Sequence, residues 1–140
     1  VNTTGGFNNC TLDTSVALAN GAGCLTYTAE TTGFTIQNDG NVALTVNLNV
    51  SNAASGFIGG TGPAYQYKGT EVEASSCGND TFAATYTNVP NDNALVCNIP
   101  GGLLYADGTD EIRFDVFLKV PYDSSTGAKS STWTVTGTSV

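Results

Sequence analysis

The sequence predicts an all-β protein, an antiparallel β-sandwich of Ig-like or jelly-roll-like type with about eight or nine short strands. Two segments carry the clearest signal, because apolar side chains occupy alternate positions of residues 42–50 and again of residues 112–120. This period of two is typical of strands with one buried face. Clusters of Gly, Pro, Asn and Asp separate the apolar segments, and no segment has a convincing helical pattern.

The other strands are predicted from shorter patterns. Residues 34–36 precede the tetrad Asn38–Asn41, which is rich in turn-forming residues, so residues 34–50 read as a β-hairpin. Weaker strand signals lie at residues 25–29, 65–68, 82–87, 94–99 and 132–138. With no linker or internal repeat, the 140-residue chain is interpreted as a short extension at residues 1–9 followed by a single domain at residues 10–140.

Composition excludes several classes of partner. Charged residues make up 11% of the chain, the net charge is −8, and only four Lys and Arg residues are present. So few cations argue against nucleic-acid binding, and the net charge disfavours anionic membrane surfaces. No stretch approaches the roughly 20 apolar residues of a membrane span, so no membrane insertion is predicted.

The chain lacks the groups that most enzymes use. It contains no histidine, which excludes Ser-His-Asp and Cys-His catalysis and imidazole metal ligands, and it has no phosphate-binding glycine loop. We therefore predict that it is not an enzyme and needs no cofactor. The one dense acidic cluster, Asp107, Asp110 and Glu111, reads as a solvated turn, with a weak calcium site as the alternative.

The cysteines and the first residue indicate a secreted, extracellular protein. The chain starts at Val1 and contains no methionine, which suggests that a signal peptide has been removed. Four cysteines allow three disulfide pairings, of which neighbours in sequence are favoured: Cys10–Cys24 and Cys77–Cys97. A tetrathiolate zinc site is the rival interpretation, although Cys-x-x-Cys spacing is absent.

Two further surface features follow from the sequence. Asn-x-Ser/Thr sequons at Asn2, Asn49 and Asn79 predict partial N-glycosylation, whereas the sequon at Asn9 is less suitable because its middle residue is a cysteine. Phe117 falls on the outward face of its predicted strand. An outward phenylalanine suggests contact with another subunit.

Residues 34–50, 55–60 and 120–138 resemble segments of secreted archaeal surface proteins. The Asn-Asp-Gly-Asn-Val turn followed by an alternating strand also resembles the subunits of bacterial biofilm fibres and archaeal bundling pili. The resemblance covers about half of the chain and implies a signal-peptide-processed β-sandwich. It also implies polymerisation by donor-strand complementation, in which a terminal segment of one subunit completes the sheet of the next.

The resemblance implies that this chain is a structural subunit whose main partner is itself, in a head-to-tail homopolymer on the cell surface. The favoured donor strand is residues 1–9, with Val1 and Phe7 as its apolar anchors, and the rival is residues 131–140. The alternative function is a monomeric carbohydrate-binding or adhesin-like module. That function predicts an exposed aromatic platform for surface glycans.

Overall fold

Two antiparallel sheets form the protein in a computed structural model, which describes residues 1, 3–16, 23–25, 32–78, 82–98 and 100–140. The elements are a 3-10 turn (Thr3–Gly5), β1 (Asn9–Asp13), β2 (Phe34–Gln37), β3 (Leu44–Val50), a single-turn helix α1 (Ala54–Phe57), β4 (Ala64–Glu71), β5 (Thr87–Asn88), β6 (Ala94–Cys97), β7 (Glu111–Pro121) and β8 (Trp133–Ser139). This confirms the predicted all-β sandwich without substantial helix.

The larger sheet has the order β1-β7-β4-β5, with β2 also paired to β7, and the smaller sheet has the order β6-β3-β8. The core lies between them because each sheet turns its alternating apolar face inward. Its most deeply buried large side chains are Val46, Leu48, Val50, Val96, Leu103, Ile112 and Phe114.

One edge of β7 is covered by two strands in succession. β1 pairs with the C-terminal half of β7 and β2 pairs with its N-terminal half, both antiparallel. Thr14 closes the join, since its N–H donates to Val116 O (3.0 Å) and its Oγ1 accepts from Val116 N (2.9 Å). At the other side of the join Gly33 lies so close to β7 that a Cβ there would be 2.1 Å from Phe114 O.

Three expectations about strands need correction. The predicted hairpin over residues 34–50 is wrong, because β2 belongs to the larger sheet and β3 to the smaller one. The turn instead crosses between sheets, anchored by buried Asn38, whose Nδ2 donates to Val42 O (2.9 Å) and Leu103 O (3.1 Å).

The predicted strand at residues 82–87 is reduced to the two residues of β5, Thr87–Asn88, and β1 was not predicted. The predicted strand at 25–29 lies almost entirely outside the described residues.

Both predicted disulfides are confirmed, with no free cysteine among the described residues. Cys10–Cys24 ties β1 to the segment that connects β1 with β2. Cys77–Cys97 joins the chain that follows β4 to β6, so it fastens the larger sheet to the smaller one.

Candidate functional site

The last strand, β8, offers an outer edge of backbone groups. At one end of its ladder with β3, Ser51 N donates to Thr132 O (2.9 Å), and at the other Val140 N donates to Ala43 O (3.1 Å). The register between them is uninterrupted, so even-numbered residues point their N–H and C=O groups at β3. The backbone groups that point away belong to Trp133, Val135, Gly137 and Ser139. Within the described part of the chain no strand pairs with this edge.

The core is open beside that edge. Trp133 turns inward, and its indole N–H donates to the hydroxyl of Tyr65. Phe34 of β2 packs on Trp133 with ring centroids 5.2 Å apart, yet Phe34 is still 53% exposed. Val135, two residues further along the same face of β8, is 41% exposed. We call Phe34, Trp133 and Val135, together with the outer edge of β8, the lateral cleft.

The described N-terminal residues before Asn9 lie outside the strands of both sheets. Residues 3–7 are exposed and form only the single 3-10 turn. Regular pairing starts at Asn8, whose carbonyl accepts from Tyr122 N (3.0 Å), and Asn9 lies in β1. Phe7 is 46% exposed, although its Cβ lies close to Gly23. Of the predicted donor segment, residues 1–9, the part from Asn8 onward is therefore already paired with the end of β7.

Neither surface carries a charged side chain. Residues 1–9 and the whole of β8 consist of apolar, glycine, hydroxyl and amide residues, in a chain whose net charge is −8. Two surfaces of this kind meet without Coulomb repulsion, and β8 lacks the lysines that often protect sheet edges from pairing.

Phe117 lies on the outer face of the larger sheet as expected, but it is half-buried. The Tyr86 ring packs on it with centroids 5.5 Å apart, and Lys68 Nζ lies 4.8 Å from the centre of the Tyr86 ring. Packing of Tyr86 on Phe117 within the same chain therefore covers this outward phenylalanine, and no intersubunit contact is needed to explain its position.

Tyr86 also belongs to a polar network that the sequence did not indicate. The Tyr86 hydroxyl donates to Asp13. Burial and the hydrogen bond to Asp13 raise the pKa of Tyr86 far above its ordinary value, so the hydroxyl stays uncharged. Burial raises the pKa of Asp13, but hydrogen bonds from Tyr86 and Ser15 outweigh it, so the pKa of Asp13 lies below its ordinary value. Nearby, buried Asp115 pairs with Arg113 (3.2 Å).

The calcium alternative is not supported by the arrangement of the acidic cluster. Asp110 is buried, where its Oδ1 accepts from Gln37 Nε2 (3.2 Å) and its N–H donates to Glu73 Oε2 (2.9 Å). Asp107 is exposed in the preceding turn. In the described ranges no group of three or more Cys, Asp or Glu side chains is placed to hold a metal ion.

Two of the four predicted glycosylation sites, Asn9 and Asn49, lie among the described residues. Asn49 lies on the outer face of β3 opposite Thr134, half-buried, with an Oδ1 that has no hydrogen-bond partner among the described residues. Asn9 is exposed at the start of β1, and the cysteine after it is in a disulfide. Asn2 and Asn79 lie outside the described residues. Glycosylation stays a prediction at all four.

Comparison with protein-family models, curated proteins and solved structures found no match to this chain. Among the described residues, no helix has the length and apolar character needed to cross a bilayer.

Proposed function

We propose that this protein is the structural subunit of an extracellular filament, in which residues 1–7 of one copy add a strand to β8 of the next. The observation that carries the proposal is the uncharged outer edge of β8, which pairs with no strand of the described chain and lies beside the exposed side chains of Phe34 and Val135. An added strand satisfies the free backbone groups and covers the exposed apolar area at the same time.

Length and side-chain spacing suit this pairing. Seven extended residues span about 23 Å, which is enough to run along the seven residues of β8. Val1 and Phe7 are six residues apart, so an extended strand places both on the same face, the face that would turn toward the cleft. The single large anchor is Phe7, since only Val1 and Phe7 are apolar in this segment apart from glycine.

The contact is heterologous and so extends into a polymer. The donor segment leaves the body where β1 meets the end of β7, whereas the lateral cleft lies between β2 and β8. Each copy therefore offers one donor and one acceptor made of different residues. A head-to-tail contact of this kind builds a filament unless its rotation closes a ring.

Negative-stain microscopy and size-exclusion chromatography of the full chain test the proposal, with deletion of residues 1–7 as the first variant. We expect filaments from the full chain and folded monomers from the deletion. A full chain that stays monomeric, or a deletion that still polymerises, contradicts the proposal.

A second pair of variants tests the acceptor edge itself. Val135→Pro removes an outward N–H without removing a hydrogen bond to β3, whereas Val135→Ala keeps the N–H and trims only the side chain. We expect Val135→Pro to abolish polymerisation and Val135→Ala to slow it. Equal assembly by the proline variant and the full chain would place the contact elsewhere.

A further inference from the structure

A polar pocket of about 390 Å³ opens on the outer face of the larger sheet, away from the lateral cleft. Lys119 of β7 and Tyr122, just past the end of β7, form one side of it. The start of β1 and the loop before β4 form the rest, through Asn8, Asn9, Thr61 and Gly62.

Hydrogen bonds fix the walls of this pocket in advance. Thr61 donates from its N–H (2.9 Å) and from Oγ1 (2.7 Å) to the carboxylate of Asp123. Ser124 Oγ donates to Gly59 O (3.2 Å), which ties the same two loops together a second time. Walls that are already ordered need little rearrangement when a ligand binds.

The pocket contains an available cation. Lys119 is one of four basic residues against twelve acidic ones, yet no carboxylate of the described residues lies within ion-pair distance of its ammonium group. The neighbouring acid, Asp123, is engaged by Thr61, and these hydrogen bonds hold the pKa of Asp123 below its ordinary value. Lys119 can therefore meet a carboxylate that a ligand brings.

The remaining groups suit a sugar. Tyr122 is 63% exposed and presents a ring on which the apolar face of a pyranose can stack. The side-chain amides of Asn8 and Asn9 both donate and accept, as hydroxyl groups require. We propose that this pocket binds a saccharide that carries a carboxylate, a uronic acid, with Lys119 on the carboxylate and Tyr122 under the ring. This site is independent of the proposed filament contact.

The test compares a glucuronic-acid-containing disaccharide with its neutral glucose counterpart, by NMR titration of the full chain. We expect the acidic sugar to bind about tenfold more tightly, and Lys119→Gln to remove this preference. Tyr122→Ala should weaken both sugars about tenfold. Lys129→Gln and Tyr105→Ala are matched controls at an exposed lysine and a 48% exposed tyrosine outside the pocket, and neither should change binding.

Equal affinity for the two sugars, no binding of either, or an acid preference that survives Lys119→Gln would each overturn the inference. Filament assembly by the same variants is the separate readout. Assembly should be unchanged in Lys119→Gln and Tyr122→Ala, so a failure of the sugar site leaves the proposed filament standing, and a failure to polymerise leaves the sugar site standing.

Discussion

At the scale of single residues, the carboxylate of Asp13 links two distant segments of the chain. It accepts hydrogen bonds from the Tyr86 hydroxyl and from the N–H and hydroxyl of Ser15 (both 2.8 Å). These bonds join the end of β1 to the segment that covers Phe117. They favour the ionised carboxylate, which is why the pKa of Asp13 is lowered despite burial.

Tyr86→Phe keeps the ring on Phe117 but removes the hydroxyl that Asp13 needs. We expect the variant to be less stable at pH 7 by about 1–2 kcal/mol, since a hydrogen bond to a charged group is lost. A carboxyl with a lowered native pKa contributes stability above its unfolded pKa and loses it as the pH falls. The difference should therefore shrink below about pH 4.

Urea unfolding of both proteins between pH 3 and 7 measures this difference, with exposed Tyr105→Phe as the control that should leave stability unchanged. A loss of stability in Tyr86→Phe that is the same at every pH would show that the hydroxyl does not act through Asp13.

At the scale of residues, the sequence predicted the covalent cross-links but not the hydrogen-bond network. The disulfide pairing followed from sequence proximity, and the structure confirms it. The network around Asp13 could not be predicted, because Asp13 and Tyr86 are 73 residues apart and nothing in either local pattern indicates a partner. The same holds for the pocket at Lys119, whose walls come from three separate segments.

At the scale of secondary-structure elements, the join between β1 and β2 is tightly constrained. β7 keeps one uninterrupted strand, and its partner strand is supplied in two pieces that meet at Thr14 and Gly33. Gly33 lies against the β7 backbone, where no side chain fits.

Gly33→Ala should therefore destabilise the protein by about 1–3 kcal/mol, because the new Cβ would overlap Phe114 O unless the strands separate. Urea unfolding measures the effect, and hydrogen exchange of the β2 amides should locate it. Gly56→Ala in α1 is the matched control, since the nearest atom to its new Cβ is 3.7 Å away. Equal stability of the two variants would contradict this account of the join.

The alternation of apolar residues predicted β3, β4, β6, β7 and β8 with small errors at their ends. It missed β1, because five residues with two inward positions are too short for a pattern to stand out. It also joined β2 to β3 as a hairpin, because a turn between two strands looks the same whether it stays in one sheet or crosses to the other. Which sheet a strand enters is decided by distant partners.

At the scale of the whole molecule, the net charge opposes the association of copies, and the proposed contact has no charged side chains that would offset this repulsion. Copies with a net charge of −8 repel one another at long range, while the donor segment and β8 contribute no charge that would hold them together. The sequence predicts the sandwich and the acidity. It does not predict the lateral cleft, because the cleft depends on the smaller sheet ending at β8.

Filament assembly should therefore accelerate when the salt concentration rises from 10 to 150 mM NaCl, which shortens the Debye length from about 30 Å to about 8 Å. Light scattering follows the rate, and the protein lacking residues 1–7 should scatter weakly at both concentrations. Assembly that slows with salt would indicate a contact made by ion pairs instead of the uncharged strand addition proposed here.

The two-piece partner of β7 has a practical consequence for engineering. The sheet is complete up to Thr14 and resumes at Phe34, and Cys10–Cys24 fastens the connecting chain to β1. Thr32 is exposed and lies just before β2, so a label attached there would interrupt neither the ladder on β7 nor that disulfide. If the subunits polymerise, such a label would repeat once per copy along the fibre, which makes position 32 a natural place to attach a fluorophore.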